Sequence, residues 1–170
     1  MAQRQDTAVG ISDEERGRLV EEMGLVWTAL GAPRMEGRIV GYLMFSNAPH
    51  VSTAELSEQL HASAGSISTT TRRLAEIGFI KQVAIPGERS YYFKAEDDVW
   101  GTFLAGERQY LRRRVTFAED ALAKLGKRDE APRRRLANMR DYMTWLETYH
   151  RKMLEDWEEF KRQRDANGEA

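Results

Sequence analysis

The sequence predicts a mainly α-helical fold that carries one small β-hairpin. Three observations support this fold class: two short helical segments joined by a tight turn occupy residues 52–77, two β-rich stretches follow at once between Phe79 and Phe93, and long helical periodicities lie on both sides. Two short helices followed directly by a hairpin are typical of a winged helix-turn-helix, whose second helix enters the major groove of DNA.

The first short helix begins with the capping box Ser52-Thr53-Ala54-Glu55. In this pattern the serine hydroxyl accepts a hydrogen bond from an amide of the first turn, and the glutamate side chain returns one to the cap. Leu56 and Leu60 then lie four residues apart on one apolar face. Residues 61–65 are small and permissive enough for a tight turn, with Ser63 as a second N-cap.

The second short helix divides its residues between an inward and an outward face. Ile67, Leu74 and Ile77 are expected to point inward, with Thr70 or Thr71 completing the apolar stripe. The outward face is rich in hydroxyl and basic side chains, which can reach phosphates and base edges. From this helix and the turn before it we predict DNA contacts at Ser63, Ala64, Gly65, Ser66, Ser68, Thr69, Arg72 and Arg73.

Arg72 and Arg73 are neighbours in sequence and therefore project about 100° apart around the helix axis. We expect at least one of them to contact DNA, by bidentate hydrogen bonding to guanine or by clamping a phosphate. Because the two side chains point in different directions, we do not expect Arg72 and Arg73 to make the same kind of contact with DNA.

Gly78 follows the second helix at a position that suits a left-handed C-terminal cap. Strands are predicted over Phe79–Ile85 and Ser90–Phe93, with Pro86-Gly87-Glu88-Arg89 as the turn between them. A basic side chain on such a wing suits the minor groove, where narrow A·T tracts concentrate negative potential. In the wing we predict DNA contacts at Lys81 and Arg89.

Amphipathic helices flank this region on both sides. Before it, a helix capped by Ser12 ends near Pro33, and a second helix at 35–45 supports the helix-turn-helix. After it, helices are predicted over 99–125 and 132–164, and periodic helices this long need a partner. The apolar seam of the last helix comprises Leu136, Met139, Met143, Leu146, His150, Met153, Trp157 and Phe160.

These elements divide the chain into five parts. Residues 1–11 form a disordered N-terminal tail, 12–34 an N-terminal dimerisation helix, 35–95 the winged helix-turn-helix, 96–164 a C-terminal helical dimerisation region and 165–170 a tail. A two-fold dimer would place its two DNA-reading helices roughly 34 Å apart, on a pseudo-palindromic site.

Composition restricts the classes of function. The 170-residue chain has no cysteine, which excludes disulfides, thiol catalysis and thiolate metal sites. No apolar run approaches the roughly 20 residues of a membrane span, and residues 1–10 lack the features of a signal peptide, so we expect a cytoplasmic protein without a membrane partner. The net charge is −1, but residues 51–94 carry five basic and four acidic side chains, which predicts salt-sensitive DNA binding of modest strength.

Catalytic and metal-site motifs are not found in the sequence. It has no Gly-rich phosphate loop, no nucleophile motif and no paired carboxylates in a plausible cleft, so neither an enzyme nor a cofactor is expected. His50, His61 and His150 lack carboxylates at ligand spacing, which argues against a metal site. Two alternatives remain: a winged helix that serves as a protein-interaction scaffold without direct DNA binding, and a PadR-type regulator, which also adds C-terminal helices.

Several segments resemble the MarR family of bacterial regulators, most closely its GbsR-like branch. The segments that carry the resemblance are Gly24-Leu25, Trp27, Gly31-Ala32-Pro33-Arg34-Met35, Thr53-Ala54-Glu55-Leu56, Gly65-Ser66-Ile67-Ser68, Leu74 and Gly78-Phe79-Ile80. The resemblance implies a triangular homodimer that binds operator DNA, and a crevice between the dimer helices and the DNA-binding domains that accepts effectors. Many relatives have more basic residues where this chain has Ala64-Gly65-Ser66, so specificity is expected to depend on Arg72, Arg73, the wing and DNA shape.

Five aromatic residues are candidates for an effector pocket, because apolar clefts with a few polar groups bind small molecules. They are Trp27, Tyr42, Trp100, Phe103 and Tyr110. Ordinary core and dimer packing is the commoner use of aromatic residues at helical spacing. The whole pattern predicts a homodimeric, ligand-responsive transcriptional regulator of double-stranded DNA, a repressor rather than an activator.

Overall fold

The computed structural model describes residues 11–168, so the predicted N-terminal tail lies outside the described residues except for Ile11. The described elements are α1 (Asp13–Ala29), α2 (Arg34–Met44), β1 (Val51–Ser52), α3 (Thr53–Gln59), α4 (Ala64–Glu76), β2 (Lys81–Val83), β3 (Tyr92–Lys94), α5 (Val99–Lys124) and α6 (Glu130–Ala166). The predicted fold class, helical with a small β wing, is confirmed.

The chain forms two compact units. The first runs to Ala75 and includes Ile80–Glu96, and the second combines Glu76–Phe79 with the chain from Asp97 onwards. Helix α1 therefore belongs to the same unit as the helix-turn-helix, whereas the predicted domains separated the two. None of the described helices is long and apolar enough to cross a membrane.

The predicted N-caps are present in the first unit. The hydroxyls of Ser12 and Ser52 each accept a hydrogen bond at 3.1 Å from the amide three residues further on, and Ser63 does so at 3.2 Å. The Glu55 carboxylate, expected to return to its own cap, accepts a hydrogen bond from the Tyr42 hydroxyl at 3.1 Å. The capping box thus also ties α3 to α2.

The core of the first unit is built around α4. Ile67 and Leu74 are fully buried, as predicted, and Thr71 is the threonine that completes the stripe. The Thr71 hydroxyl donates to the carbonyl oxygen of Ile67 at 2.8 Å, which satisfies it inside the core. Ile39 of α2 and Leu56 of α3 are also fully buried.

The sheet has three antiparallel strands in the order β1-β3-β2, with Phe93 paired to both Val51 and Gln82. The two wing strands are shorter than predicted, and β1 was not predicted because two residues are too few to show a period-two pattern. At the wing tip the amide of Glu88 donates to the carbonyl of Ile85 at 3.1 Å, and Gly87 has φ +85°. A type II turn requires this left-handed residue after Pro86.

Helices α1 and α2 approach each other at backbone distance. A Cβ atom added to Gly37 would lie 2.5 Å from the carbonyl oxygen of Met23 and 2.9 Å from the Cα of Gly24. The face of α1 that meets α2 therefore includes Gly24, together with Val20 and Trp27. Val26 and Leu30, which continue the three- and four-residue apolar spacing of this helix, are exposed.

In the second unit α5 and α6 form an antiparallel pair, because the start of α5 contacts the end of α6. Asp98 caps α5, as predicted, by accepting from the Gly101 amide at 2.8 Å, and it also accepts from Trp157 Nε1 at 2.8 Å and Lys161 Nζ at 2.6 Å. Burial raises the pKa of Asp98, but the hydrogen bonds from Lys161, Trp157 and Gly101 outweigh burial, so the pKa lies below its ordinary value.

The predicted seam of α6 is correct as far as His150, which is buried and lies 3.3 Å from a carboxylate oxygen of Glu107. Beyond it the face of α6 that meets α5 departs from the predicted seam at two positions: Met153 and Phe160 are exposed, whereas Leu154, Trp157 and Lys161 are partly buried. A straight helix has 3.6 residues per turn, so a strict seven-residue pattern drifts off the contact face. The step after His150 is accordingly four residues and not three.

Candidate DNA-binding surface

The exposed face of α4 carries the hydroxyl and basic residues that the sequence singled out. Ser68, Thr69, Arg72 and Arg73 are exposed and Ser66 is half-buried, while the opposite face is packed into the core. The amphipathic pattern of the sequence therefore separates a supporting face from a free face. The free face offers short hydrogen-bonding side chains and two guanidinium groups.

The first turn of α4 has little side-chain bulk. Ser63, Ala64 and Gly65 are exposed, and a Cβ atom added at Gly65 would meet nothing within 4 Å. The Ser63 hydroxyl is engaged as the N-cap of the helix. Ser63 therefore has the capping role that the sequence predicts, and its contact with a phosphate stays a prediction.

Arg72 lies at the edge of a cleft of about 380 Å³ within the first unit. The cleft lies between α4, the start of α3 and the sheet, and no described carboxylate lines it. Its lining residues are Thr53, Ser68, Thr71, Arg72, Gln82, Tyr91 and Phe93. Hydroxyl, amide and guanidinium groups without an acid among them make a surface that can receive a phosphate.

Arg73 has different surroundings from Arg72. Its Nε atom lies 2.8 Å from Oε1 of Glu36 on α2, and the Glu36 side chain is only 4% exposed. Sequence reasoning missed Glu36, although a signal was available. Glu36 lies three residues before Ile39 and four before Val40, on the buried face of α2, where a carboxylate needs a cationic partner.

The two predicted wing residues also differ. Lys81 lies at the start of β2, where its Nζ is 3.2 Å from a carboxylate oxygen of Glu96, and Lys94 approaches the same carboxylate at 3.1 Å. Hydrogen bonds from Lys94 and then Lys81 hold the pKa of Glu96 below its ordinary value. Arg89 is exposed beside the turn at the wing tip. The wing therefore presents an exposed cation at its tip and, at its base, two lysines that share one carboxylate.

The five predicted effector residues have different environments. Trp27 is buried in the first unit, while Tyr42 lines a cleft of about 300 Å³ between α1, α2 and the end of α3. Burial, followed by the hydrogen bond to Glu55, raises the pKa of the Tyr42 hydroxyl. The other residues of this cleft are Asp13, Arg16, Gly17, Val20, Glu21, Arg38, Gln59 and Leu60, so its lining is more polar than the predicted aromatic pocket.

The remaining three aromatic residues belong to the second unit. The rings of Trp100 and Phe103 pack on Phe79, with centroids 5.6 Å and 4.1 Å from it. Tyr110 is half-buried, with the Arg113 guanidinium 5.8 Å from its ring centroid. These contacts are side-chain packing, which the sequence analysis gave as the alternative to effector binding.

Comparisons with known proteins identify the family to which this arrangement belongs. A curated relative, the HTH-type transcriptional regulator MmpR5 of Mycobacterium tuberculosis (strain ATCC 25618 / H37Rv), is 35% identical over 131 residues, which are 75% of this chain and 78% of the relative. The chain belongs to the MarR family. The family model of MmpR5-like MarR family transcriptional regulators matches residues 98–162 of this MarR-family chain.

A solved structure supports the same membership. The crystal structure of a transcriptional regulator is 32% identical to this MarR-family chain and superposes with a TM-score of 0.70, covering 85% of this chain and 98% of the other. The protein is therefore a DNA-binding transcriptional regulator and not an enzyme. Membership also decides against the two alternatives of the sequence analysis, the PadR-type regulator and the scaffold that does not bind DNA.

Proposed function

We propose that this MarR-family protein is a sequence-specific repressor that acts as a homodimer on a pseudo-palindromic operator. The exposed face of α4 is the observation that carries the proposal, because it combines Ser68, Thr69 and Arg72 on one side of a well-packed helix. Short hydroxyl side chains allow close approach to the phosphates, and Arg72 is the residue best placed to read a base or clamp a phosphate. The tip residue Arg89 adds a minor-groove contact.

The remaining predicted DNA contacts have supporting roles in this proposal. Ser63, Ala64, Gly65 and Ser66 form the open first turn, which lets backbone amides approach the DNA. Lys81 contributes less than Arg89, because Glu96, which it shares with Lys94, compensates part of its charge.

We propose that residues 35–95 bind DNA, and that residues 12–34 and 96–164 form the dimer. Each of the two dimer segments exposes apolar side chains that a monomer would leave in water. On α1 these are Leu25, Val26 and Leu30, and on α6 they are Tyr142, Trp145, Tyr149, Met153 and Phe160. Contiguous apolar surface of this kind marks an interaction site, and a second copy of the chain would give the two-fold symmetry that a palindrome needs.

We also propose that a small-molecule effector regulates the protein. An effector can shift the population between a DNA-competent spacing of the two α4 helices and another spacing only if it binds one of them better. The cleft beside Tyr42 supports this proposal, since it encloses space between α1 and the DNA-binding helices. Its arginine, tyrosine and glutamine side chains suit a polar ligand.

A regulator must reach chromosomal DNA, so we place this one in the cytoplasm of a bacterium. The GbsR-like relationship rests on the motifs quoted above, such as Gly65-Ser66-Ile67-Ser68, and we keep it as a proposal about ancestry beside the MmpR5-like match.

Fluorescence anisotropy tests sequence-specific binding. The purified protein is titrated into duplex DNA from the region upstream of its own gene, and into a scrambled duplex, at two salt concentrations. We expect tighter binding to the native duplex, and a difference that persists at the higher salt concentration because base contacts are less salt-dependent than phosphate contacts. Equal, weak binding that salt abolishes on both duplexes would contradict an operator at this location.

A further inference from the structure

We propose that Arg73 does not contact DNA and instead acts as a positioning residue, whose ion pair with Glu36 fixes the rotation of α4 about its own axis. The inference rests on the proposed function, because it concerns how the same helix is presented to an operator. It assigns to Glu36 a role in DNA recognition even though the residue is buried.

The burial of Glu36 is the first step of the argument. The whole residue is 3% exposed, and it is the one carboxylate that is buried among residues 11–168. A buried charge is costly unless it is paired, and removing one partner of such a pair leaves the other uncompensated. Arg73 holds this carboxylate through Nε, so the ion pair compensates its charge and draws the guanidinium toward α2, which disfavours a second contact with a phosphate.

The rigid support of Glu36 is the second step. The next residue, Gly37, lies in backbone contact with α1, where even a single added Cβ would come within 2.5 Å of the Met23 carbonyl oxygen. Helix α2 can therefore move little relative to α1. The carboxylate at 36 is consequently a fixed point, and the 2.8 Å contact with Arg73 transmits its position to α4.

The rotation of α4 about its axis determines where Arg72 and Ser68 lie. Arg72 precedes Arg73 by one residue and projects about 100° away from it. Arg72 lines the cleft beside the sheet together with Ser68. When Arg73 is held on Glu36, Arg72 and Ser68 are held toward that cleft. Loss of the ion pair would let the helix turn by a few degrees and would misplace both side chains against the DNA.

The test compares Arg73→Gln, Glu36→Gln and the double variant with the wild type and with Arg72→Gln. Binding to the operator duplex and to a scrambled duplex is measured by anisotropy over a salt series. If Arg73 positions α4, both single variants lower operator affinity by about tenfold and reduce discrimination against the scrambled duplex. The double variant is then no worse than either single one, as for two residues in one interaction. Arg73→Lys, which keeps the charge, recovers part of the affinity.

The salt dependence distinguishes this role from a phosphate contact. Arg72→Gln should lower the slope of log K against log salt concentration by about 1, whereas Arg73→Gln should leave the slope unchanged. Glu36→Gln is the sharpest variant, because removing a negative charge beside DNA would tighten binding if it freed Arg73 for a phosphate. Tighter binding by Glu36→Gln, or a slope reduced by about 1 in Arg73→Gln, overturns the inference.

The wild type serves as the control for the proposed function. If the wild type does not prefer the duplex from upstream of its own gene, the proposed operator at that location fails, whereas the salt slope of Arg73→Gln on either duplex still tests the inference. If the wild type is specific and Arg73→Gln behaves as a phosphate contact, only the inference fails. Circular dichroism melting checks folding. Should a single variant not fold, the double variant carries the test through its salt slope, because it leaves no unpaired buried charge at position 36 and the Arg73 side chain is 61% exposed.

Discussion

Arg72 is the residue whose removal gives the most direct test of the DNA surface. It is exposed on α4 and lines a cleft without described carboxylates. Changing it to alanine removes one cationic contact, so we expect operator affinity to fall by about tenfold or more and the salt slope to decrease by about 1. Anisotropy over a salt series measures both quantities.

Arg114→Ala is the matched control for this prediction. Arg114 is an exposed arginine on α5, outside the proposed DNA-binding domain, so its loss should change neither affinity nor slope. A wild-type slope in Arg72→Ala would show that this guanidinium does not pair with a phosphate.

At the residue scale, the sequence identifies which side chains of α4 face outward, but it does not identify the residues with which they pair. The period of 3.6 residues assigned Ile67, Leu74 and one of Thr70 and Thr71 to the core, and it therefore left Ser68 and Arg72 outward. It could not separate the use of Arg72 from that of Arg73. The decisive neighbour, Glu36, is 37 positions away in sequence, and nothing local indicates which cation meets it.

At the scale of elements, the contact between α1 and α2 depends on glycine. Gly37→Ala would place a methyl group 2.5 Å from the Met23 carbonyl oxygen, so we expect the free energy of unfolding to fall by about 1–3 kcal/mol. Gly17→Ala is the matched control, because a Cβ at this exposed helical position meets nothing within 4 Å. It should raise the free energy of unfolding by about 0.5–1 kcal/mol.

Urea denaturation at one fixed protein concentration measures both variants, since the stability of an oligomer depends on concentration. If Gly37→Ala were as stable as the wild type, the two helices would not be in backbone contact.

The junction between α5 and α6 predicts a dependence on pH. The folded-state pKa of Asp98 is depressed, so its contribution to stability is present above the unfolded-state pKa of about 3.9 and is lost as the pH falls through the lower folded-state value. Asp98→Asn removes the charge and keeps the size. The wild type should be the more stable protein at pH 6, and the difference should shrink progressively below about pH 4.

Thermal melting of both proteins between pH 6 and pH 2 measures this difference. A difference in melting temperature that stayed constant over the whole range would show that the Asp98 charge is not what stabilises the junction.

Sequence periodicity predicted the elements better than their contacts. Capping residues such as Ser12, Ser52 and Asp98 marked three helix starts correctly, because capping is a local interaction. The position of the α6 seam after His150 is not local, since it depends on how far two straight helices stay in contact. For the same reason the pairing of β1 with β3 could not be derived from two residues.

At the scale of the whole molecule, the exposed aromatic face of α6 predicts the oligomeric state. Tyr142, Trp145 and Tyr149 form a ladder with ring centroids 6.0 Å and 4.7 Å apart, and each side chain is more than half exposed. Replacing Trp145 and Tyr149 by glutamate would bury charge in the proposed interface, so we expect the dimer dissociation constant to rise by at least about tenfold. Sedimentation velocity over a dilution series measures it.

Tyr91→Ser is the control, because Tyr91 is an equally exposed aromatic residue that lies outside the proposed dimer segments. It should leave the dimer unchanged. Retained dimerisation in the Trp145→Glu, Tyr149→Glu variant would assign the interface to another surface.

The contact between Asp98 and Lys161 has a consequence for the order of folding. It joins residues 63 positions apart, whereas Met23 and Gly37, which bring α1 against α2, are separated by only 14 positions (37 − 23). Contacts that close long loops cost more chain entropy and tend to form after local ones. We therefore expect the last turns of α6 to dock late during folding and to detach first during native-state fluctuations. Proteases that cut in these turns would thus remove the end of the chain before they attack the helix-turn-helix.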